Sequence, residues 1–227
     1  MSLTNYLRLQ APTSQRLRGE IVNSLDSEAV ISVCPIDPFH RRWKRIWSPL
    51  VVEVKHSKRD ETIIWTGPPS KLLVHENLLQ DFRRVGFTGY LPMPATIRFR
   101  DGSESQQYWE LVVTGWAGIA PTESGIHVAQ ECPACGRKNY SALTDPSQLI
   151  DRNQWTNEDF FIAWPLPVWI FITERVAEYL NASSAKSFSL IRQTELEGHP
   201  SGSAPGNLLW YMPEEFAVKY GRPLGLE

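Results

Sequence analysis

A set of residues that occurs twice, at nearly constant spacing, most constrains how this chain can fold. Both copies open with a Cys-Pro pair and keep a tryptophan, a proline and a glutamate in the same order. The matched pairs, offset by 98 or 99 positions, are Cys34 with Cys132, Trp65 with Trp164, Pro68 with Pro167, and Glu76 with Glu174. An ordered set of matches at one offset is typical of an internal duplication.

Each copy predicts the same run of secondary structure: a Cys-Pro turn, a short β-rich segment that ends at the tryptophan, and a helix. In the first copy, apolar residues at helical spacing predict a helix over 74–85, which Gly86 would end. In the second copy we expect the helix to begin near Thr173, whose hydroxyl can cap the first backbone N–H groups. A last helix is expected over 213–220.

Two strands, over 96–100 and 108–114, are predicted between the copies, with a turn at 101–103. The expected fold class is therefore α+β, with two related β-plus-helix units from an internal duplication packed into one compact body. The first unit is placed at residues 1–100, and the second unit, with the C-terminal helix, at 101–227.

Length and hydropathy limit the class of protein. A chain of 227 residues can bury a core without disulfides, and three cysteines are too few for a disulfide framework. The longest apolar stretch, at 160–172, is interrupted by Pro165 and Pro167, so no membrane span is expected. The first residues lack the charged and apolar regions of a secretory signal, which makes the cytoplasm the expected location.

Charge is divided unevenly between the two halves. Residues 1–100 hold 15 lysines and arginines against 9 acidic residues, whereas residues 101–227 hold 8 against 16. The net charge of −2 argues against general nucleic-acid binding by the chain as a whole. An acidic second half can face a basic partner, or both halves can simply be solvated surfaces.

The cysteine pattern predicts a metal site. Cys132 and Cys135 form one zinc knuckle, because two thiolates three positions apart can grip the same tetrahedral ion. A structural zinc site needs four ligands, and Cys34 is the expected third. The remaining candidate donors are Asp37, His40 and His127.

Two other interpretations of the cysteines stay open. The turn can be a metal-free relic with free thiols, since Asp37 stands in the first copy where the second copy has Cys135. A redox pair of the thioredoxin type would place its cysteines at the start of a helix, but the residues after Gly136 show no helical period. Zinc is the candidate cofactor, and the sequence leaves bound zinc and the metal-free turn equally open.

No catalytic pattern is visible, which predicts that the protein is not an enzyme. The sequence lacks a Gly-x-Ser-x-Gly motif and a phosphate loop. The cationic run at 41–45 is expected to be a solvated turn, although phosphate contact with stacking on Trp43 is an alternative.

The nine tryptophans are divided between core and surface. Trp65 and Trp164 occupy matching points of the two copies and are expected in the core. Trp155 and Trp210 have polar neighbours in the sequence and are the candidates for an interface.

Several motifs together resemble a known family. They are CPACG at 132–136, DFF at 159–161, WP at 164–165 and TERV at 173–176. With the upstream Cys34-Pro pair, they resemble the double-CXXCG motif proteins of myxobacteria, most clearly over 116–180. This chain departs from the motif at Asp37, which replaces the second cysteine of the first CXXCG.

The resemblance implies an immunity protein that binds and neutralises a toxin passed between kin. We therefore expect a cytoplasmic, non-enzymatic protein whose partner is a cognate toxin, for example a basic nuclease that an acidic surface would attract. A membrane or nucleic acid is not the expected partner. The alternative is a zinc-ribbon-like nucleic-acid-binding protein that uses the run at 41–45. The candidate residues for the toxin contact are Glu195, Glu197, Trp210, Tyr211, Glu214 and Glu215.

Overall fold

The structure is a computed structural model that describes residues 5–12, 18–22, 28–55, 61–67, 71–196 and 205–226. Two residues discussed above, Pro68 and Glu197, lie outside these ranges. The described strands are β1 (Tyr6–Gln10), β2 (Arg18–Ile21), β3 (Glu28–Val33), β4 (Arg41–Arg45), β5 (Leu50–Val54), β6 (Ile63–Thr66), β7 (Leu72–His75), β8 (Tyr90–Phe99), β9 (Glu104–Val113), β10 (Gly115–Ile119), β11 (Val128–Glu131), β12 (Lys138–Tyr140), β13 (Phe160–Trp164), β14 (Ile170–Thr173) and β15 (Ser189–Arg192). The α-helices are α1 (Glu76–Val85), α2 (Glu174–Ala182) and α3 (Glu214–Gly221).

Six strands form a closed barrel in the order β2-β5-β8-β9-β7-β6. The antiparallel pair β8 and β9 confirms the predicted hairpin, although both strands are longer than the sequence pattern indicated. Apolar side chains such as Val52, Leu73 and Ile97 are fully buried in a cluster that fills the barrel. Alternation along the strands accounts for this filling, because every second residue points inward.

A second sheet of five strands has the order β10-β13-β14-β1-β15. All five residues of β13 are buried, as expected for a central strand covered on both faces. Two further two-stranded sheets, β3-β4 and β11-β12, carry the two Cys-Pro turns.

A second buried cluster, separate from the one inside the barrel, joins the outside of the barrel to the second sheet. Phe82 on α1 lies 5.5 Å from Phe160 on β13 and 6.2 Å from Tyr179 on α2, measured between ring centroids. Trp65 and Trp164 belong to the same buried cluster, which confirms their predicted place in the core. The chain thus has the predicted compact α+β fold, since the barrel wall and the second sheet bury apolar residues against each other.

The first helix follows the prediction except at its start. α1 begins at Glu76, because the preceding residues form strand β7. His75 caps it by accepting a hydrogen bond at Nδ1 from the backbone N–H of Asn77, at 3.2 Å. Gly86 ends the helix as predicted, with a φ of +74° that favours glycine.

The predicted cap of the second helix is wrong. Thr173 lies at the N-cap position of α2 but makes no side-chain capping bond. Its hydroxyl instead donates to Asp159 Oδ1 at 2.9 Å. Asp159 is buried and also accepts a hydrogen bond from Arg175. The threonine hydroxyl therefore contributes to a hydrogen-bonded group around this buried carboxylate and does not cap the helix.

The two Cys-Pro copies share most of their order of strands and helix, although β5 in the first copy has no counterpart in the second. In each, the buried strand that carries the tryptophan pairs antiparallel with the strand that leads into the helix. It also pairs parallel with the strand that precedes the Cys hairpin, β2 in the first copy and β10 in the second. The indole N–H groups have different acceptors, Ser187 O for Trp65 and Tyr140 OH for Trp164. The shared order supports the hypothesis of duplication, which stays a prediction.

Strand pairing connects the segments on either side of residue 100. The turn at 100–103 joins β8 to β9, which are neighbours in the barrel. Strand β1, near the N-terminus, pairs with both β14 and β15 of the second sheet. None of the helices in the described ranges has the length and apolar character needed to cross a membrane.

Candidate metal centre

The two Cys turns have similar backbone arrangements. In the first, the N–H of Cys34 donates to His40 O at 2.9 Å and closes the connection between β3 and β4. In the second, the N–H of Cys132 donates to Arg137 O at 2.9 Å and closes the connection between β11 and β12. Each hairpin therefore holds its cysteine at a fixed point beside the last residue of a strand.

The fold brings four potential ligands together. Cys34 and His40 come from the first hairpin, and Cys132 and Cys135 from the second. One donor atom from each lies within 4.8 Å of all the others, close enough to hold one metal ion. The Sγ atoms of Cys34 and Cys132 are 3.8 Å apart, as are Cys135 Sγ and His40 Nδ1.

A carboxylate orients the histidine of this group. The Nε2 atom of His40 lies 3.3 Å from Asp37 Oδ2, on the side of the ring opposite to the nitrogen that faces Cys135. Asp37 is itself held by the backbone N–H of Phe39, which donates to Oδ1 at 2.9 Å. A carboxylate that accepts the second ring N–H of a histidine is the usual support of a metal-binding imidazole.

Backbone N–H groups favour a thiolate in the second turn. The pKa of Cys132 is lowered to about 6, first by the N–H of Ala134 and then by the N–H of Cys135. The N–H of Arg137 lowers the pKa of Cys135, but burial and the neighbouring thiols outweigh it and raise that pKa. Gly136 allows this turn with a φ of +68°, and its N–H donates to Cys132 O.

Asp37 and His127, both proposed from the sequence as donors, lie outside the group of four. Asp37 contacts the far side of His40, as described above. His127 Nδ1 lies 3.1 Å from Gly125 O and 3.0 Å from Ser141 Oγ, within its own loop. The five-residue gap between Cys34 and His40 gave no sequence signal that could rank His40 above Asp37.

The acidic and aromatic residues expected at a toxin contact come from two segments of the chain. Glu214 Oε2 lies 2.5 Å from Lys44 Nζ on β4, and this pairing lowers the pKa of Glu214. Glu215 is exposed beside it, whereas Glu195 follows β15 in the other sheet. Trp210 packs edge-to-face on Trp43, with 6.2 Å between ring centroids.

Two surface predictions are wrong. Trp155 is buried, with 7 % of its surface exposed, and packs on Phe161, so it cannot anchor an interface. The cationic run at 41–45 is strand β4 rather than a solvated turn. Its last residue, Arg45, is buried and makes two hydrogen bonds to the carboxylate of Glu110.

Comparison of the chain with protein-family models and with curated protein sequences finds no match.

Proposed function

We propose that this protein binds one structural zinc ion and acts, through a surface that the zinc helps to hold, as an immunity protein against a toxin. The group formed by Cys34, His40, Cys132 and Cys135 carries the first part of the proposal. The resemblance to double-CXXCG proteins and an exposed apolar strand support the second part.

The spacing of the donor atoms fits zinc. Zinc–sulfur bonds of about 2.3 Å in a tetrahedron place two sulfurs about 3.8 Å apart. Cys34 Sγ and Cys132 Sγ have this separation, 3.8 Å. Three sulfurs and one imidazole nitrogen are also a common ligand set of structural zinc.

Four protein ligands leave no open position, which favours a structural role over a catalytic one. The ion would join the β3-β4 hairpin of the first half to the β11-β12 hairpin of the second half. Cys34 and Cys132 are 98 positions apart, so one ion would cross-link distant parts of the chain. The non-enzymatic character of the protein is part of this proposal.

The zinc content of the purified protein tests the site. We expect about one equivalent of zinc by elemental analysis, because a filled four-ligand site holds its ion tightly. His40→Ala should lose most of the metal. Asp37→Asn should keep a site with about 10- to 100-fold weaker affinity, since Asp37 only orients the imidazole.

His127→Ala provides the matched control, because this histidine lies near the β11-β12 hairpin but outside the group of four. It should bind zinc like the unchanged protein. Less than about one-tenth of an equivalent in protein never exposed to chelator would leave the metal-free turn as the explanation.

Strand β3 offers a surface for a protein partner. Within the described residues β3 pairs only with β4, so its other edge is open. The exposed apolar side chains of this strand and of the turn after it are Val30, Ile31, Val33, Ile36 and Phe39. Natural proteins usually protect such edges with charge or cover, and an apolar exposed edge marks a place where another chain binds.

The proposed partner is a cytoplasmic toxin that adds a segment to this edge. Strand addition takes affinity from backbone hydrogen bonds and specificity from alternate side chains, and β3 presents both. Glu214 is paired with Lys44, whereas Glu215 is exposed and forms no ion pair within the described residues, so its charge is available to attract a basic toxin.

A lysine on the open edge should block this contact. We expect Ile31→Lys to weaken toxin binding at least about 30-fold, because it places a charge where an apolar partner side chain would lie. Capture from the native host should recover a protein that inhibits growth when expressed alone and is neutralised by co-expression of the unchanged chain.

Val168→Lys is the control, since Val168 is equally apolar and exposed but lies in the turn between β13 and β14. It should bind and neutralise normally. The proposal fails if Ile31→Lys neutralises as well as the unchanged chain, or if the captured partner is nucleic acid alone.

A further inference from the structure

A cleft lies between the two Cys hairpins and the C-terminal segment at 205–226. It has two compartments, with volumes of about 240 Å³ and 290 Å³. Arg41, Arg137 and Asn207 line both compartments. Together the compartments reach the size range of small-ligand pockets, about 300–1,000 Å³.

The first compartment is strongly cationic. Arg41, Arg42, Arg137 and Lys138 line it, against the single carboxylate of Glu131. None of these four cations forms an ion pair with any residue that the structure describes. Unpaired cations that converge on one cleft favour a ligand with negative charge.

Asn207 supplies a second, independent sign of a ligand. Its residue surface is 3 % exposed, and neither Nδ2 nor Oδ1 has a hydrogen-bond partner in the described part of the chain. The neighbouring backbone is fixed, since the N–H of Leu208 donates to Leu226 O at 2.7 Å. A buried amide without partners is costly, so a ligand with an adjacent donor and acceptor would satisfy it.

The second compartment is aromatic. Phe39, Trp43, Trp210 and Tyr211 line it together with the two shared arginines. Phe39 is 85 % exposed, so its ring is available to a ligand. Aromatic side chains beside cations are the usual platform on which nucleic-acid bases stack.

We propose that this cleft binds a nucleotide unit, with the base in the aromatic compartment, the base edge at Asn207 and the phosphate among the cations of the first compartment. An acidic peptide would satisfy the cations, and its backbone could pair with the amide, but its side chains have no ring to stack on the aromatic platform. The unit can come from a free nucleotide or from a single strand. This inference does not depend on the toxin partner.

Titration of the purified full-length protein separates the alternatives. The probes are the four ribonucleoside monophosphates, inorganic phosphate, single-stranded hexanucleotides and a hexaglutamate peptide. Binding of each probe is measured by tryptophan fluorescence and by calorimetry. We expect at least one monophosphate to bind at least about tenfold more tightly than phosphate, because stacking and the amide contact add to the charge contacts. A hexanucleotide that binds more than tenfold more tightly than the best monophosphate identifies a single strand as the source of the nucleotide unit. Equal affinities of the hexanucleotide and the monophosphate identify the free nucleotide.

Variants test the named residues. Asn207→Leu should weaken nucleotide binding about tenfold and raise the melting temperature, because leucine removes the unpaired amide. Arg41→Gln should weaken binding to a similar extent, whereas Arg152→Gln, an exposed arginine away from the cleft, should bind normally. The proposal is overturned if no nucleotide or oligonucleotide binds, if phosphate or hexaglutamate binds as tightly as the best nucleotide, or if Asn207→Leu leaves the affinity unchanged.

Discussion

Removal of the zinc ion is expected to lower the melting temperature of the protein by about 10 °C or more. The ion would cross-link Cys34 and Cys132 across a loop of 98 positions. An ion that binds only the folded chain stabilises it by about 4 kcal/mol when free zinc is about 1,000 times the dissociation constant. For a chain of this size, 1 kcal/mol corresponds to about 2 to 4 °C.

Differential scanning calorimetry with and without a chelator measures this shift. Cys132→Ser should melt at the temperature of the chelated protein and should show no further change when chelator is added. The unchanged protein should regain its melting temperature when zinc is restored. A melting temperature that is insensitive to chelator would contradict a structural zinc site.

The sequence placed three members of the group of four near one another because cysteine spacing is a local signal. Cys132 and Cys135 share one turn, and the matched position of Cys34 suggested that it would join them. The choice of His40 over Asp37 was beyond the sequence, because both follow Cys34 in one loop. Only the hairpin backbone, closed by the bond from Cys34 N to His40 O, directs the imidazole inward and the carboxylate behind it.

Non-local pairing explains what the sequence pattern missed in the fold. Nothing local in the sequence of β1 indicates that its partners are β14 and β15, more than 150 positions away. The run at 41–45 presents the same difficulty. Four of its five residues are cations, and only the distant Glu110 makes Arg45 a buried residue.

Loss of Glu110 is expected to destabilise the protein by about 3 to 5 kcal/mol, the usual cost of removing one partner from a buried ion pair. Glu110 and Arg45 are 2 % and 5 % exposed, and their two hydrogen bonds measure 2.6 and 2.5 Å. Burial, followed by the charge of Arg45, lowers the pKa of neighbouring Lys71 to about 8. Glu110→Ala would therefore leave the buried guanidinium of Arg45 without its counter-charge.

Chemical denaturation compares this variant with Glu104→Ala, which lies on the same strand. Glu104 pairs with Arg98 at an exposed position, so its loss should cost at most about 1 kcal/mol. An Arg45→Met, Glu110→Leu double variant should recover most of the stability, because it removes both charges and fills the same space. Equal effects of Glu110→Ala and Glu104→Ala would show that the Arg45 pair does not stabilise the barrel. If the double variant is as unstable as Glu110→Ala, the loss of stability comes from packing around β9 and not from the unpaired charge.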